Sequence, residues 1–152
     1  MKRIALVGLL LLIPVGGALA TASFGILEAT VQARGTLADD QWGKIKVRSG
    51  TDVAVQKIRI APGGHTGWHS HPGSAVVVVK AGALTLYEGD DRKCRPTTYP
   101  AGSTFVDVGH GNVHIGRNEG SVEVELWVTY FEVPVGGSFR LDVDPAPGNC
   151  PF

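Results

Sequence analysis

All five histidines of this chain fall into two short stretches, at positions 65, 69 and 71 and at positions 110 and 114. In a β-strand, residues i and i+2 project from the same face about 6.6 Å apart. His69 and His71 can therefore direct two imidazoles at one ion, at a nitrogen–metal distance of about 2.1 Å. His114 is the natural third ligand from a neighbouring strand. The three histidines predict a transition-metal site.

Two further histidines are candidates for the same site. If this segment is extended, His65 and His69 project from the same face of it. Glycines 63, 64 and 67 work against that conformation. His110 precedes His114 by four residues and is expected in a turn. We treat His65 and His110 as possible additional ligands, or as groups that orient a ligand through a hydrogen bond. The alternative for the main trio is a hydrogen-bonded polar cluster that holds no metal.

Three acidic residues also lie where a neighbouring strand can bring them to the histidines. Asp107, Glu123 and Glu125 are each expected on or beside a strand. A carboxylate oxygen is a good ligand for most divalent ions. The competing interpretation for all three is a solvated strand face, which is the ordinary place for an acid.

The elements that must position these residues are strands. Apolar and polar residues alternate with period two along most of the chain, and no window after the first residues has helical periodicity. The predicted strands and turns are a strand at 44–48, a turn at Ser49-Gly50, a strand from 52 to 60, a strand at 75–79 buried on both faces, a strand holding Leu84 and Leu86, a polar loop at 87–92, a turn at 100–102, the longest half-buried strand at 122–129 and a short strand at 139–143. Many short strands with 21 Gly and 9 Pro indicate an all-β sandwich or closed barrel.

The first residues have the pattern of a secretory leader. Lys2 and Arg3 precede an apolar run at 4–13, and Ala18-Leu19-Ala20 supplies the small residues that a signal peptidase accepts. We expect a signal peptide at 1–20, with cleavage after Ala20 or, as second choice, Ala22, and one domain at 21–152. The alternative is an uncleaved anchor, although the apolar run is shorter than the roughly 20 residues of a spanning helix. Cleavage would place the protein outside the cytoplasm, with no stable membrane insertion.

Cys94 and Cys150 are the only cysteines, and an oxidising compartment favours joining them. In the chain-entropy model such a bond would stabilise the fold by about 4 kcal/mol. The alternatives are two free thiols or a metal-binding cysteine, but the chain has no CxxC pattern. We predict a disulfide between them.

Composition restricts the partners. The chain has 14 basic and 14 acidic residues, so no basic field indicates nucleic acid. It contains no phosphate-binding glycine loop, no Gly-x-Ser-x-Gly elbow and no cysteine placed as a nucleophile. These observations leave a small molecule or a metal ion as the expected ligand.

The spacing around the histidines resembles the two motifs of the cupin superfamily. Gly63, five further residues, His69-Ser70-His71 and Gly82 follow the first motif. Gly102 opens the second motif, and the stretch 111–118, with His114 and Asn118, fits its second half. The resemblance covers residues 50–132 or so. It implies a small double-stranded β-helix (jelly-roll) barrel with His69, His71 and His114 as metal ligands, and it makes a homodimer possible.

Two departures from the cupin motifs bear on the site. The metal-binding Glu of the first motif falls at Ala75, or at Val76 with the longer spacing, and neither can coordinate. The second motif carries one extra residue, with Gly109 where Pro is usual. A site of three histidines alone resembles that of thiol dioxygenases and acetylacetone dioxygenase, which are iron cupins.

Three functions are consistent with these residues. The favoured one is an exported cupin that holds one transition-metal ion per chain (Fe, Mn, Zn, Cu or Ni) or a small polar ligand. The second is a three-histidine metal-dependent oxygenase, with His110 or His65 moving protons. The third is a metal-free structural or small-ligand-binding barrel. No acid, base or substrate clamp in the sequence decides whether the protein is an enzyme.

Overall fold

Strands make up all the regular structure of the described part of the chain. The computed structural model describes residues 30–37, 45 and 47–152, and these contain ten strands and no helix. The strands are β1 Thr36–Leu37, β2 Asp52–Ile60, β3 His69–Ser70, β4 Ala75–Ala81, β5 Ala83–Glu88, β6 Thr97–Pro100, β7 Ser103–Asp107, β8 His114–Arg117, β9 Val124–Val133 and β10 Leu141–Asp142. The leader predicted at 1–20 lies outside the described residues. Within the described ranges, no helix is long and apolar enough to cross a membrane.

Two five-stranded sheets are formed within residues 31–152. One has the order β1-β7-β4-β9-β2 and the other the order β10-β3-β8-β5-β6. All pairings are antiparallel except that of β1 with β7. The chain passes from β4 in the first sheet to β5 in the second through Gly82, whose φ of 72° favours glycine. The all-β jelly-roll prediction is confirmed.

The main core draws its side chains from both sheets. In β9 the alternation predicted from the sequence is present, with Val124, Leu126, Val128 and Tyr130 buried and the residues between them partly exposed. Each fully buried Val or Leu contributes about 1.5–3 kcal/mol relative to exposure. In β4, Ala75, Val77 and Val79 are buried while the two valines between them are only partly so. The prediction that this strand is buried on both faces is therefore wrong.

Three details of the predicted elements also differ. The strand expected at 44–48 is absent from its described residues, which are 45, 47 and 48, although Ser49-Gly50 does form a turn. Among the described residues, the partner of β2 is β9 rather than the stretch before that turn. The polar loop expected from residue 87 begins later, because Tyr87 and Glu88 belong to β5 and Tyr87 is buried.

A second core cluster joins the tail of the chain to the second sheet. Trp68, Tyr87 and Ile115 are buried in it, and both cysteines pack against them. Cys94 and Cys150 lie at disulfide distance, with their Cα atoms 5.3 Å apart. The predicted pairing of these cysteines is thereby supported, and it ties the C-terminal residues to the loop after β5.

Candidate metal centre

Three buried histidines meet in the interior of the molecule. His69 begins β3, His71 follows that strand, and His114 begins β8. His69 and His114 are directly opposed in the β3–β8 pairing. One ligating atom from each ring lies within 4.8 Å of the others, and all three side chains are about 5–6% exposed. The structure thus brings together the three residues that the sequence analysis selected.

Backbone carbonyl groups orient two of the imidazoles. The Nδ1–H of His69 donates to the Gly67 carbonyl at 2.8 Å, and that of His71 donates to the Phe139 carbonyl at 2.6 Å. A donating Nδ1 leaves the lone pair on Nε2, which is the tautomer required of a metal ligand. In His69 and His71, Nε2 therefore carries the lone pair that an ion would bind.

Burial favours the neutral form of these rings. Loss of solvation, followed by repulsion from His114, lowers the pKa of His69 to about 3. Burial likewise lowers the pKa of His114, and the nearby Asp107 carboxylate opposes that shift. Neutral imidazole is the form that binds metal ions, so no proton has to leave His69 at neutral pH.

A buried carboxylate stands beside the histidines. Asp107 ends β7 and is 7% exposed, so the interpretation that placed it on a solvated face is wrong. Its Oδ2 lies 3.4 Å from Nε2 of His71 and 3.4 Å from Nε2 of His114. Its Oδ1 accepts a hydrogen bond from the Gly109 N–H at 2.9 Å. Oδ2 accepts no hydrogen bond from any described residue.

The other candidate residues lie outside this cluster. His65 is exposed and its Nδ1 accepts the Gly67 N–H at 3.1 Å. The side chain of His110 is 58% exposed, and its Nε2 is 3.5 Å from a Glu132 oxygen. Glu123 pairs with Arg59 and Glu125 with Lys57 and Lys80. For these two glutamates the strand-face interpretation describes their position.

A cleft with a largely apolar surface and a few polar groups adjoins the histidines. His69 and His71 line it together with Gln56, Ile58, Thr66, Tyr130, Phe139 and Arg140. Burial raises the pKa of Tyr130 to about 12, so its phenol stays protonated and donates to Gln56 at 3.0 Å. The Arg140 guanidinium is held by the Thr66 carbonyl at 2.7 Å and by Asp142 at 2.6 Å. Arg140 is thus fixed in the wall of the cleft, with its charge paired to Asp142.

The donor set fits a transition-metal ion. Neutral imidazole nitrogens suit zinc, copper, iron and nickel, and a carboxylate oxygen is compatible with each of them. The partnerless Oδ2 of Asp107 is a further sign that the site is built for a positive group, because a buried charged oxygen is costly without one. The ligating atoms of the three rings lie within 4.8 Å of one another. Two ligands at about 2.1 Å from one ion are at most about 4.2 Å apart, so the rings would draw together slightly on binding.

Comparison with known proteins gives the class. The family described as "Cupin domain" matches residues 56–130. This range contains the β3–β8 and β4–β7 strand pairs around the histidines. Together with the jelly-roll fold, this match shows that the chain belongs to the cupin superfamily. No curated protein matches the chain.

Three solved structures are similar to parts of this chain. A structure of oxalate oxidase is 27% identical, over 60% of this chain and 46% of that one, with a TM-score of 0.49. A conserved double-stranded β-helix protein from Klebsiella pneumoniae is 19% identical over 77% of this chain and 100% of its own, also at 0.49. A cupin domain from Bordetella pertussis is 23% identical over 66% of this chain and 96% of its own, at 0.44. The match thus spans less than half of the oxalate oxidase chain.

Proposed function

We propose that this protein is an exported cupin that holds one transition-metal ion in the cluster of His69, His71 and His114. The convergence of three buried imidazoles carries the proposal, because their ligating atoms lie within 4.8 Å of one another, close to the separation of ligands around one ion. The carbonyl groups of Gly67 and Phe139 set the tautomer of two of them in advance.

Export is proposed from two independent features. The pattern at 1–20 has the charge, apolar run and small residues of a cleaved leader. The cysteine pair at disulfide distance is typical of proteins in oxidising compartments. We propose that the mature domain begins at residue 21 and functions outside the cytoplasm.

The cleft beside the histidines suits a small polar ligand. Arg140, Gln56 and Thr66 supply polar groups in its wall. Phe139 stacks on Tyr130 with ring centroids 4.5 Å apart and closes one side with apolar surface. A bound ion would add Lewis-acid polarisation of an oxygen ligand. The residues of the chain would orient the ligand and limit the access of water.

Elemental analysis of the mature protein tests this function. The protein should be purified from its native compartment without chelators or a histidine tag. We expect about one equivalent of a transition metal per chain, lost in His114→Ala. Absence of metal, with none taken up on reconstitution, would contradict the proposal and leave a metal-free barrel. Iron or copper in the protein would justify measuring oxygen consumption with small carboxylates or thiols.

A further inference from the structure

Ala75 and Asp107 face each other across the two strands that flank the histidines. They are directly opposed in the antiparallel pairing of β4 with β7. Directly opposed residues project from the same face, with Cβ atoms about 4.5–5.5 Å apart. Ala75 is 1% exposed, so its methyl group lies in the interior beside the carboxylate of Asp107. Ala75 is also, with Val76, one of the two positions at which the cupin motif would carry its carboxylate, and this chain has none at either.

The separation between Asp107 and the histidines is that of two ligands, and it is too long for a hydrogen bond. Imidazole–carboxylate hydrogen bonds are about 2.7–3.0 Å long. Ligand atoms at about 2.1 Å from one ion are about 3.0–3.4 Å apart at ordinary bond angles. Oδ2 of Asp107 is 3.4 Å from Nε2 of both His71 and His114. The same oxygen has no hydrogen-bond donor among the described residues.

The other carboxylate oxygen is held in place by the loop that follows β7. Gly109 donates its N–H to Oδ1 of Asp107, which fixes the carboxylate and turns Oδ2 towards the rings. Gly109 has a φ of 65°, and a side chain there would collide with the backbone of Gly73. Only glycine meets both requirements at this position. A proline at this position would have no N–H to donate, so the departure of the second motif at Gly109 makes the hydrogen bond to Asp107 possible.

We propose that Asp107 is the fourth ligand of the metal site, and that it supplies from β7 the carboxylate that Ala75 cannot supply from β4. The inference rests on the proposed function, because it presupposes that the histidines bind an ion. The site would then hold three neutral nitrogens and one negative oxygen. The small side chain of Ala75 leaves the space into which the Asp107 carboxylate reaches.

Zinc affinity, measured by chelator competition, tests the role of Asp107. We expect Asp107→Ala to weaken zinc binding by at least about tenfold, since loss of even an outer partner of a ligand costs about 10–100-fold. Asp107→Asn should also weaken binding, and it retains an acceptor for the Gly109 N–H if the alanine variant fails to fold. Glu88→Gln is the matched control, because Glu88 is a half-buried acid that lines one pocket with Asp107 and accepts a hydrogen bond from the Asn112 side chain at 3.0 Å. It should leave the affinity close to that of the unaltered protein.

The double variant Ala75→Glu with Asp107→Ala tests the exchange of positions. We expect it to recover much of the affinity, and the visible spectrum of bound cobalt to return towards that of the unaltered protein. A zinc affinity no higher than that of Asp107→Ala alone would contradict the proposal that Asp107 replaces a carboxylate at position 75. Unaltered affinity in Asp107→Ala, or an equal loss in Glu88→Gln, would overturn Asp107 as a ligand. Failure of the unaltered protein to bind any metal would instead overturn the proposed function itself.

Discussion

His69 and His114 are directly opposed on neighbouring strands, and their ring centroids are 4.4 Å apart. Strand β3 consists of two residues only, so this one pair sets the register between β3 and β8. The sheet therefore places two of the three histidines by backbone pairing alone. His71 completes the cluster from just beyond the strand, where the Phe139 carbonyl holds its ring.

Replacing His69 and His71 together with alanine should abolish stoichiometric metal binding. Two of three nitrogen ligands disappear, while the long pairings of β4 and β9 remain. Metal content and the β-sheet circular dichroism signal measure the two effects. The matched control is His65→Ala with His110→Ala, since both side chains are exposed and lie outside the cluster. Metal content that is unchanged in the His69 and His71 variant, or lost in the His65 and His110 variant, would contradict the assignment of the metal site.

Metal binding should raise the melting temperature of the protein. An ion that binds only the folded state adds about 2.7 kcal/mol at a free concentration of 100 times its dissociation constant. For a chain of this size that corresponds to a shift of about 5–11 °C. The same addition should leave His114→Ala unchanged. A shift of equal size in that variant would show binding elsewhere on the molecule.

The sequence contains most of the information about the barrel and its histidines. The alternation in β9 and the i, i+2 spacing of His69 and His71 are local patterns, and both survive folding because strands fix the side-chain direction. Pairings between strands are not local. Nothing in the sequence indicates that β2 pairs with β9, and the strand expected at 44–48 was inferred from alternation alone.

Asp107 shows why the fourth group at the site was harder to predict. An acid near the end of a strand is ordinarily solvated, and the neighbouring Val108 is indeed exposed. The available signal is the period of two, because Asp107 lies two residues after Phe105 and therefore on the same buried face of β7. Its position beside the histidines depends on the β4–β7 register, which juxtaposes residues 32 positions apart. Only the three-dimensional structure supplies that register.

Reducing the disulfide should destabilise the mature protein. Cys94 and Cys150 are 56 positions apart, so their bond removes considerable freedom from the unfolded chain, worth about 4 kcal/mol in the chain-entropy model. Thermal unfolding with and without reductant measures the loss, and Cys94→Ser with Cys150→Ser should reproduce it. Two titratable thiols in the exported, unreduced protein would contradict the bond.

Asp91 should make stability depend on pH in the acid range. Hydrogen bonds from the Arg95 side chain, then from the Arg95 and Lys93 backbone, lower its pKa from 3.8 to about 2. A lowered pKa means that the carboxylate stabilises the fold above about pH 4, and that this contribution is lost as the pH falls towards 2. Asp91→Asn should therefore melt below the unaltered protein at pH 6, and the two should converge near pH 2. A constant difference across that range would contradict the effect.

Asn118, the last residue of the second motif, should stabilise the fold without contributing to metal binding. It is 1% exposed, donates to the carbonyl groups of Ile60 and Val122 at 2.8 Å each, and accepts the Gly120 N–H at 3.1 Å. Asn118→Ala leaves these backbone groups unsatisfied, at a cost of about 2–4 kcal/mol in the free energy of unfolding. Denaturant titration measures that cost. Zinc affinity of the folded variant should match that of the unaltered protein, because Asn118 lies outside the histidine cluster. A variant of unaltered stability with weakened zinc binding would reverse this assignment and place Asn118 among the groups that organise the metal site.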